Sequence, residues 1–215
     1  KLVEVLLFSS PEPLTQGKLN QILFGGENIE EVKDIEIDNN GDVVVLLNTT
    51  SNIIYFNDGN TMNTSNIDVV LLKYNEIGIR IWGANIGNTI NKQGYSITID
   101  NQDDIYITGF YSGGNNSLML SKFSTNGNYQ WLNTYGSTGI NGTSIKYQDN
   151  GNIIVVGNFS STLTLAGNTF YNSSTSDMFI CKFDTIGNII NVNAFHSDSP
   201  NEVFDVDIIG NEYVI

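Results

Sequence analysis

Short apolar runs, each broken by a cluster of Asn, Asp, Gly and Ser, recur along the chain. Between positions 95 and 135 the segments "YSITID", "DIYITGFY", "LMLSKFS" and "YQWLNTY" follow one another in this way. They are rich in Ile, Tyr, Phe and Thr and alternate roughly between apolar and polar positions, the pattern of strands packed into a sheet. No stretch sustains the 3.6-residue period of a helix. The three prolines, at positions 11, 13 and 200, fall outside the runs, as suits a residue that cannot donate to a sheet ladder. The pattern predicts an all-β chain of short strands joined by tight polar turns.

The pattern also repeats. "DNNGDVVVL" at position 38 is echoed by "DNQDDIYIT" at 100 and "DNGNIIVVG" at 149. "DVVLLKYNEIGIRIW" from Asp68 is echoed by "SLMLSKFSTNGNYQW" from Ser117 and "DMFICKFDTIGNIIN" from Asp177. Lys73, Lys122 and Lys182 keep one place in the second set, and Gly78, Gly127 and Gly187 another. Each unit reads as four strands. The first 25 residues, with Gly25 matching Gly87 and Gly136, read as the last two strands of a unit; "FDVDIIGNEYVI" reads as the first two of another. The predicted divisions are therefore 1–25, 26–87, 88–136, 137–196 and 197–215. A four-stranded antiparallel repeat of this length cannot bury both faces alone, and stacking such units around an axis gives a β-propeller. The two half-units allow either a closed four-bladed ring or an arc of a larger propeller, and the arc is favoured slightly.

These repeats resemble the bacterial-type propeller repeats called SBBP repeats, in which an Asp, two apolar residues, Lys, an aromatic residue, Gly and Trp are followed by an Asp–Gly–Asn turn and an apolar run. Asp68, Lys73, Gly78 and Trp82 carry the likeness in one unit, and Lys122, Phe123, Gly127 and Trp131 in the next, where Ser117 replaces the Asp. Asp177, Lys182, Phe183 and Gly187 carry it in the third, where Asn191 replaces the Trp. The resemblance implies a β-propeller from a large surface or secreted protein and assigns no activity.

Charge removes some classes of function. Nine basic and 23 acidic residues give a net charge of −14, which opposes binding to nucleic acid or to anionic lipid. No apolar run reaches the length of a bilayer span, so neither nucleic acid nor membrane insertion is expected. Cys181 is the sole cysteine and His196 the sole histidine, which excludes an internal disulfide and argues against zinc. Cys181, inside an apolar run, reads as a buried inert thiol, and His196 as a surface residue after an outer strand. Asp38, Asn40 and Asp42 resemble the start of a calcium loop, but the Gly and Glu that an EF-hand needs at its sixth and twelfth positions are Val43 and Thr49. A turn with Gly41 at positive φ accounts for the Gly, and Asp103, at that place in the second copy, is a residue that tolerates the conformation.

No nucleophile motif and no acid recurring in an apolar setting is visible, so no catalytic residue, metal or cofactor is expected. Six Asn-x-Ser/Thr sequons, at Asn48, Asn63, Asn115, Asn141, Asn158 and Asn172, are no more than the composition would produce. Trp82 and Trp131, at equivalent places, read as packing between units. The connections from Asn48 to Ile67 and from Phe159 to Ser176 are long, and long loops on a rigid scaffold are where binding residues concentrate. The candidates for a ligand-facing surface are Tyr55, Asp58, Tyr111, Phe170 and Tyr171, with the small hairpins "IIYFNDGNTM" and "LTLAGNTF" as a competing, packing explanation for some of them. The expected role is a non-enzymatic structural or interaction surface, extracellular or surface-associated, with a protein or glycan partner. A lectin or a glycan-cleaving enzyme is the alternative.

Overall fold

The structure is a computed structural model and describes residues 31–215 except 57, 65–66, 87–90, 114–116, 137, 173–174, 197 and 210–211. The predicted half-unit at 1–25 lies outside the described residues. Among those residues all regular structure is strand. The first sheet is formed by β1 (Glu31–Ile37), β2 (Val43–Thr49), β5 (Asp68–Tyr74) and β6 (Arg80–Asn85) in that order. The second comprises β7 (Lys92–Ile99), β8 (Ile105–Tyr111), β9 (Ser117–Phe123) and β10 (Tyr129–Tyr135). The third comprises β11 (Ile140–Gln148), β12 (Asn152–Phe159), β15 (Asp177–Asp184) and β16 (Ile189–Phe195). All pairings are antiparallel. Two small hairpins, β3 (Ile53–Tyr55) with β4 (Thr61–Asn63) and β13 (Leu163–Leu165) with β14 (Asn168–Phe170), are inserted after the second strands of the first and third sheets. A last pair, β17 (Asp207–Ile209) with β18 (Glu212–Val214), follows the third sheet.

The middle strands are buried on both faces, and that is why they read as unbroken apolar runs rather than alternating ones. Val44, Leu46, Val69 and Leu71 pack against Ile97, Ile105, Ile107 and Met119 of the second sheet. That sheet turns Tyr106, Leu118 and Leu120 the other way, onto Ile153, Val155, Phe179 and Phe183 of the third. The far face of the third sheet buries Ile154, Val156 and Ile180 with Val203 and Val206, just before β17. Each fully buried side chain of this kind stabilises by about 1.5–3 kcal/mol, so stacking supplies what an isolated sheet lacks.

The repeat extends to irregularities. The pairing shifts at one place on each inner strand, between Val32 and Asp34, Gly94 and Ser96, and Gly142 and Ser144. On each outer strand it shifts just before the position of Trp82, Trp131 or Asn191. Bulges of this kind increase local twist. The turns between the two inner strands place Gly41, Asp103 and Gly151 at φ of 81°, 61° and 87°, so the expectation for Gly41 and Asp103 holds. The third copy aligns one residue away from the sequence match. Gly151 N–H donates to Gln148 C=O as Gly41 donates to Asp38 and Asp103 to Asp100, so Gln148, not Asp149, stands in the place of Asp38.

Asp38 Oδ1 accepts from the N–H groups of Asn40 and Asp42 at 2.9 and 3.0 Å. Its Oδ2 lies 2.5 Å from Lys73 Nζ, with Asp42 at 3.5 Å. The carboxylates that suggested calcium thus fix the turn and face a buried ammonium. Lys122 likewise pairs with Asp104 at 2.7 Å. Trp82 Nε1 donates to Thr125 C=O of the second sheet at 3.2 Å, and a Cβ on Gly127 would come within 2.8 Å of its ring. A Cβ on Gly187 would come 3.2 Å from the Trp131 ring. The recurring Gly and the recurring Trp are two halves of one sheet-to-sheet contact.

Candidate ligand-facing surface

Two regions were open to function: the axis to which the inner strands converge, and the end of the sheets that carries the long connections. Among the described residues of the inner strands, several polar groups are engaged by one another. Asp34 Oδ2 accepts from Ser96 Oγ at 2.8 Å and from Ile97 N–H at 2.9 Å. The equivalent Ser144 donates to Asp205 Oδ1 at 2.6 Å and accepts from Val206 N–H at 3.3 Å. Glu36 and Lys146, two residues further along the first and third inner strands, meet at 3.2 Å. Burial opposes the charge on Lys146, but Glu36, with Asp34 and Asp205 behind it, holds the ammonium above the ordinary lysine value.

The connections after the second strands lie at the opposite end of the sheets from the turn at Asp38. In the first sheet, hairpin β3–β4 folds back onto the outer strand. Arg80 Nη2 donates to Asp58 Oδ2 at 2.7 Å, and its guanidinium lies 4.0 Å from the centre of the Phe56 ring. Asp58 is held below the ordinary carboxylate range by the Asn60 N–H and by Arg80. Ile54 and Phe56 are buried, whereas Tyr55 is 56% exposed. Tyr111 ends β8, half-buried against the core between the first two sheets. Phe170 ends β14, half-buried against the core between the second and third, and Tyr171 beside it is 74% exposed. The five candidates are thus spread over three sheets: Tyr55 and Asp58 on the first hairpin, Tyr111 on the second sheet, and Phe170 and Tyr171 on the third. The hairpin explanation holds in part for Phe170.

What the sequence concealed is the neighbour of Phe170. His196 follows β16 and is exposed, as expected, but the carboxylate it meets is Asp177 rather than the nearby Asp198: Nδ1 lies 3.1 Å from Asp177 Oδ2. The imidazole packs edge-on to Phe159 at 6.1 Å between ring centres and at a tilt to Phe170 at 6.4 Å. Asp177 is fully buried, and so is Asp68, which opens β5 as Asp177 opens β15. The repeat's own Asp is therefore buried in two units, but each copy faces a basic side chain rather than an apolar setting. Asp68 faces Lys92 Nζ at 3.5 Å with both side chains fully buried, and burial lowers the Lys92 ammonium against the opposing pull of Asp68.

Other groups named from sequence are structural. Cys181 is buried, and desolvation pushes its thiol up. Asn48, Asn158 and Asn172 use their side-chain amides on Gly94, Val203 and Phe159, so those sequons are engaged in backbone contacts; Asn115 lies outside the described residues. A groove of about 650 Å³ runs along Met178, Val203, Phe204 and Ile215, away from all five candidates.

No family model and no curated protein matches the chain. Two solved structures are similar in arrangement. One is a protein of unknown function from Bacteroides caccae, with a TM-score of 0.42 and 13% identity over 78% of this chain; the chain spans 62% of that protein's length. The other is a GH43 endo-arabinanase from Bacillus licheniformis, with a TM-score of 0.42 and 14% identity over 94% of this chain and 71% of the enzyme.

Proposed function

We propose that the chain is a β-propeller module, of the type its repeats resemble, that serves as a non-enzymatic structural or interaction surface on a cell or particle exterior. The observation that carries this reading is the state of the axis. Asp34, Glu36 and Asp205 are engaged by Ser96, Lys146 and Ser144, so these acids, among the described residues on or beside the inner strands, link one sheet to another. Hydrolysis by paired carboxylates needs two acids facing each other across a cleft open to the substrate. The three sheets are successive blades of an arc of a larger propeller rather than of a closed four-bladed ring.

The test is turnover. Recombinant protein incubated with panels of glycosides and esters is expected to release no product above buffer. Release that disappears in Asp34→Asn or Glu36→Gln would overturn the reading in favour of a glycan-cleaving enzyme.

A further inference from the structure

The loop end of the third sheet brings together residues that the sequence keeps apart. Asp177, fully buried, fixes the His196 imidazole through Nδ1 at 3.1 Å. A ring nitrogen held by a carboxylate sets the orientation of the whole imidazole and leaves the other nitrogen out of that contact. The His196 side chain is 37% exposed. Phe159 supports it edge-on from below, and Phe170 stands at its side. Tyr171, the residue that follows Phe170, is 74% exposed. A fixed ring nitrogen beside aromatic faces offers a hydrogen bond and an apolar platform within a few ångströms, the combination that suits a flat, hydroxyl-bearing ring.

The first sheet shows that the repeat does not require this arrangement. Its equivalent Asp68 is covered by the buried Lys92, and its hairpin is clamped by Arg80. The protein's net charge of −14 disfavours an anionic ligand.

From this geometry we infer that His196, Phe170 and Tyr171, with Asp177 as the positioning residue beneath His196, form a shallow subsite for a neutral saccharide. The inference rests on the surface reading above and gives that surface a ligand class.

The single histidine makes the experiment clean, because the spectrum of the whole protein holds one imidazole. Cellobiose, maltose, lactose and xylobiose are titrated separately while the imidazole Cε1–H signal is followed by NMR. At least one sugar is expected to move that signal saturably, with Kd in the range of about 1 mM, typical of a small contact. Tyr171→Ala, at a solvent-exposed position, and His196→Gln, read from the neighbouring backbone amides, should each weaken binding several-fold while the remaining amide spectrum stays unchanged. No saturable shift with any of the four sugars overturns the subsite. So does binding that moves other signals but leaves the imidazole still, or binding that Tyr171→Ala does not weaken. Turnover of a sugar would instead count against the non-enzymatic reading, so the two failures are distinguishable.

Discussion

The first and third sheets follow one plan and differ at the loop end. Each inserts a small hairpin after its second strand, and each opens its third strand with a fully buried aspartate. In the first sheet both features are tied to basic side chains. Asp68 meets Lys92, delivered by the second sheet's inner strand, and Arg80 ties the hairpin down through Asp58 and Phe56. In the third sheet the hairpin is anchored by Leu163 and Leu165 in the core between sheets, and Asp177 is met by a histidine at the surface. The same repeat thus makes a structural joint in one place and an outward-facing cluster in another. Position in a repeat sets where a side chain sits, and the partner sets what it is free to do.

The sharpest way to probe that difference is to remove each partner in turn. Lys92→Met leaves the Asp68 carboxylate buried without its ammonium and is expected to destabilise by about 3–5 kcal/mol. Adding Asp68→Asn should recover most of the loss. His196→Gln, at the rim, is expected to cost less than about 1 kcal/mol. Urea denaturation of the three variants measures both, and equal losses at the two sites would remove the distinction.

Anchoring gives a second contrast. Leu163→Ala opens a cavity in the core between the second and third sheets and should cost about 3 kcal/mol, whereas Tyr55→Ala, at an exposed position of the other hairpin, should stay within about 0.5 kcal/mol of the parent. Denaturant midpoints compared at constant slope decide this.

A smaller effect comes from the clamp on the first hairpin. Arg80→Ala removes the cation over Phe56 and is expected to cost about 1 kcal/mol. It should also change the response to acid. The Asp58 carboxyl is depressed in the folded protein. Its contribution is therefore complete above the ordinary aspartate value of about 3.9 and is lost as pH falls through the lower folded value. Thermal unfolding between pH 5 and pH 2 should show a shallower acid decline for Arg80→Ala than for the parent, and parallel curves would remove Asp58 from the clamp.

The fold was legible because the repeat writes each constraint several times. Gly78, Gly127 and Gly187 mark outer turns, Trp82 and Trp131 mark the contact between sheets, and the unbroken runs in β2 and β5 mark strands covered on both faces. Even the exchange of Gly41 for Asp103 was readable, since only a few residues tolerate that backbone. The loop-end cluster was not legible. Asp177 and His196 are 19 positions apart, and what joins them is the return of β16 alongside β15, which no local pattern announces. The burial of Asp68 and Asp177 was hidden for a related reason: an aspartate opening a strand looks like the end of a turn until the distant Lys92 or His196 is brought against it. The partner of Asp58 was hidden too, because Arg80 stands 22 positions away on the outer strand.

If the acids on the inner strands join sheets to one another, the pair that spans the first and third of them, Glu36 and Lys146, must be coupled. A double-mutant cycle of Glu36→Gln and Lys146→Met, measured by urea denaturation, should give a favourable coupling of about 0.5–1 kcal/mol, as befits a partly exposed pair. Additive losses, with no coupling between Glu36 and Lys146, would contradict the account.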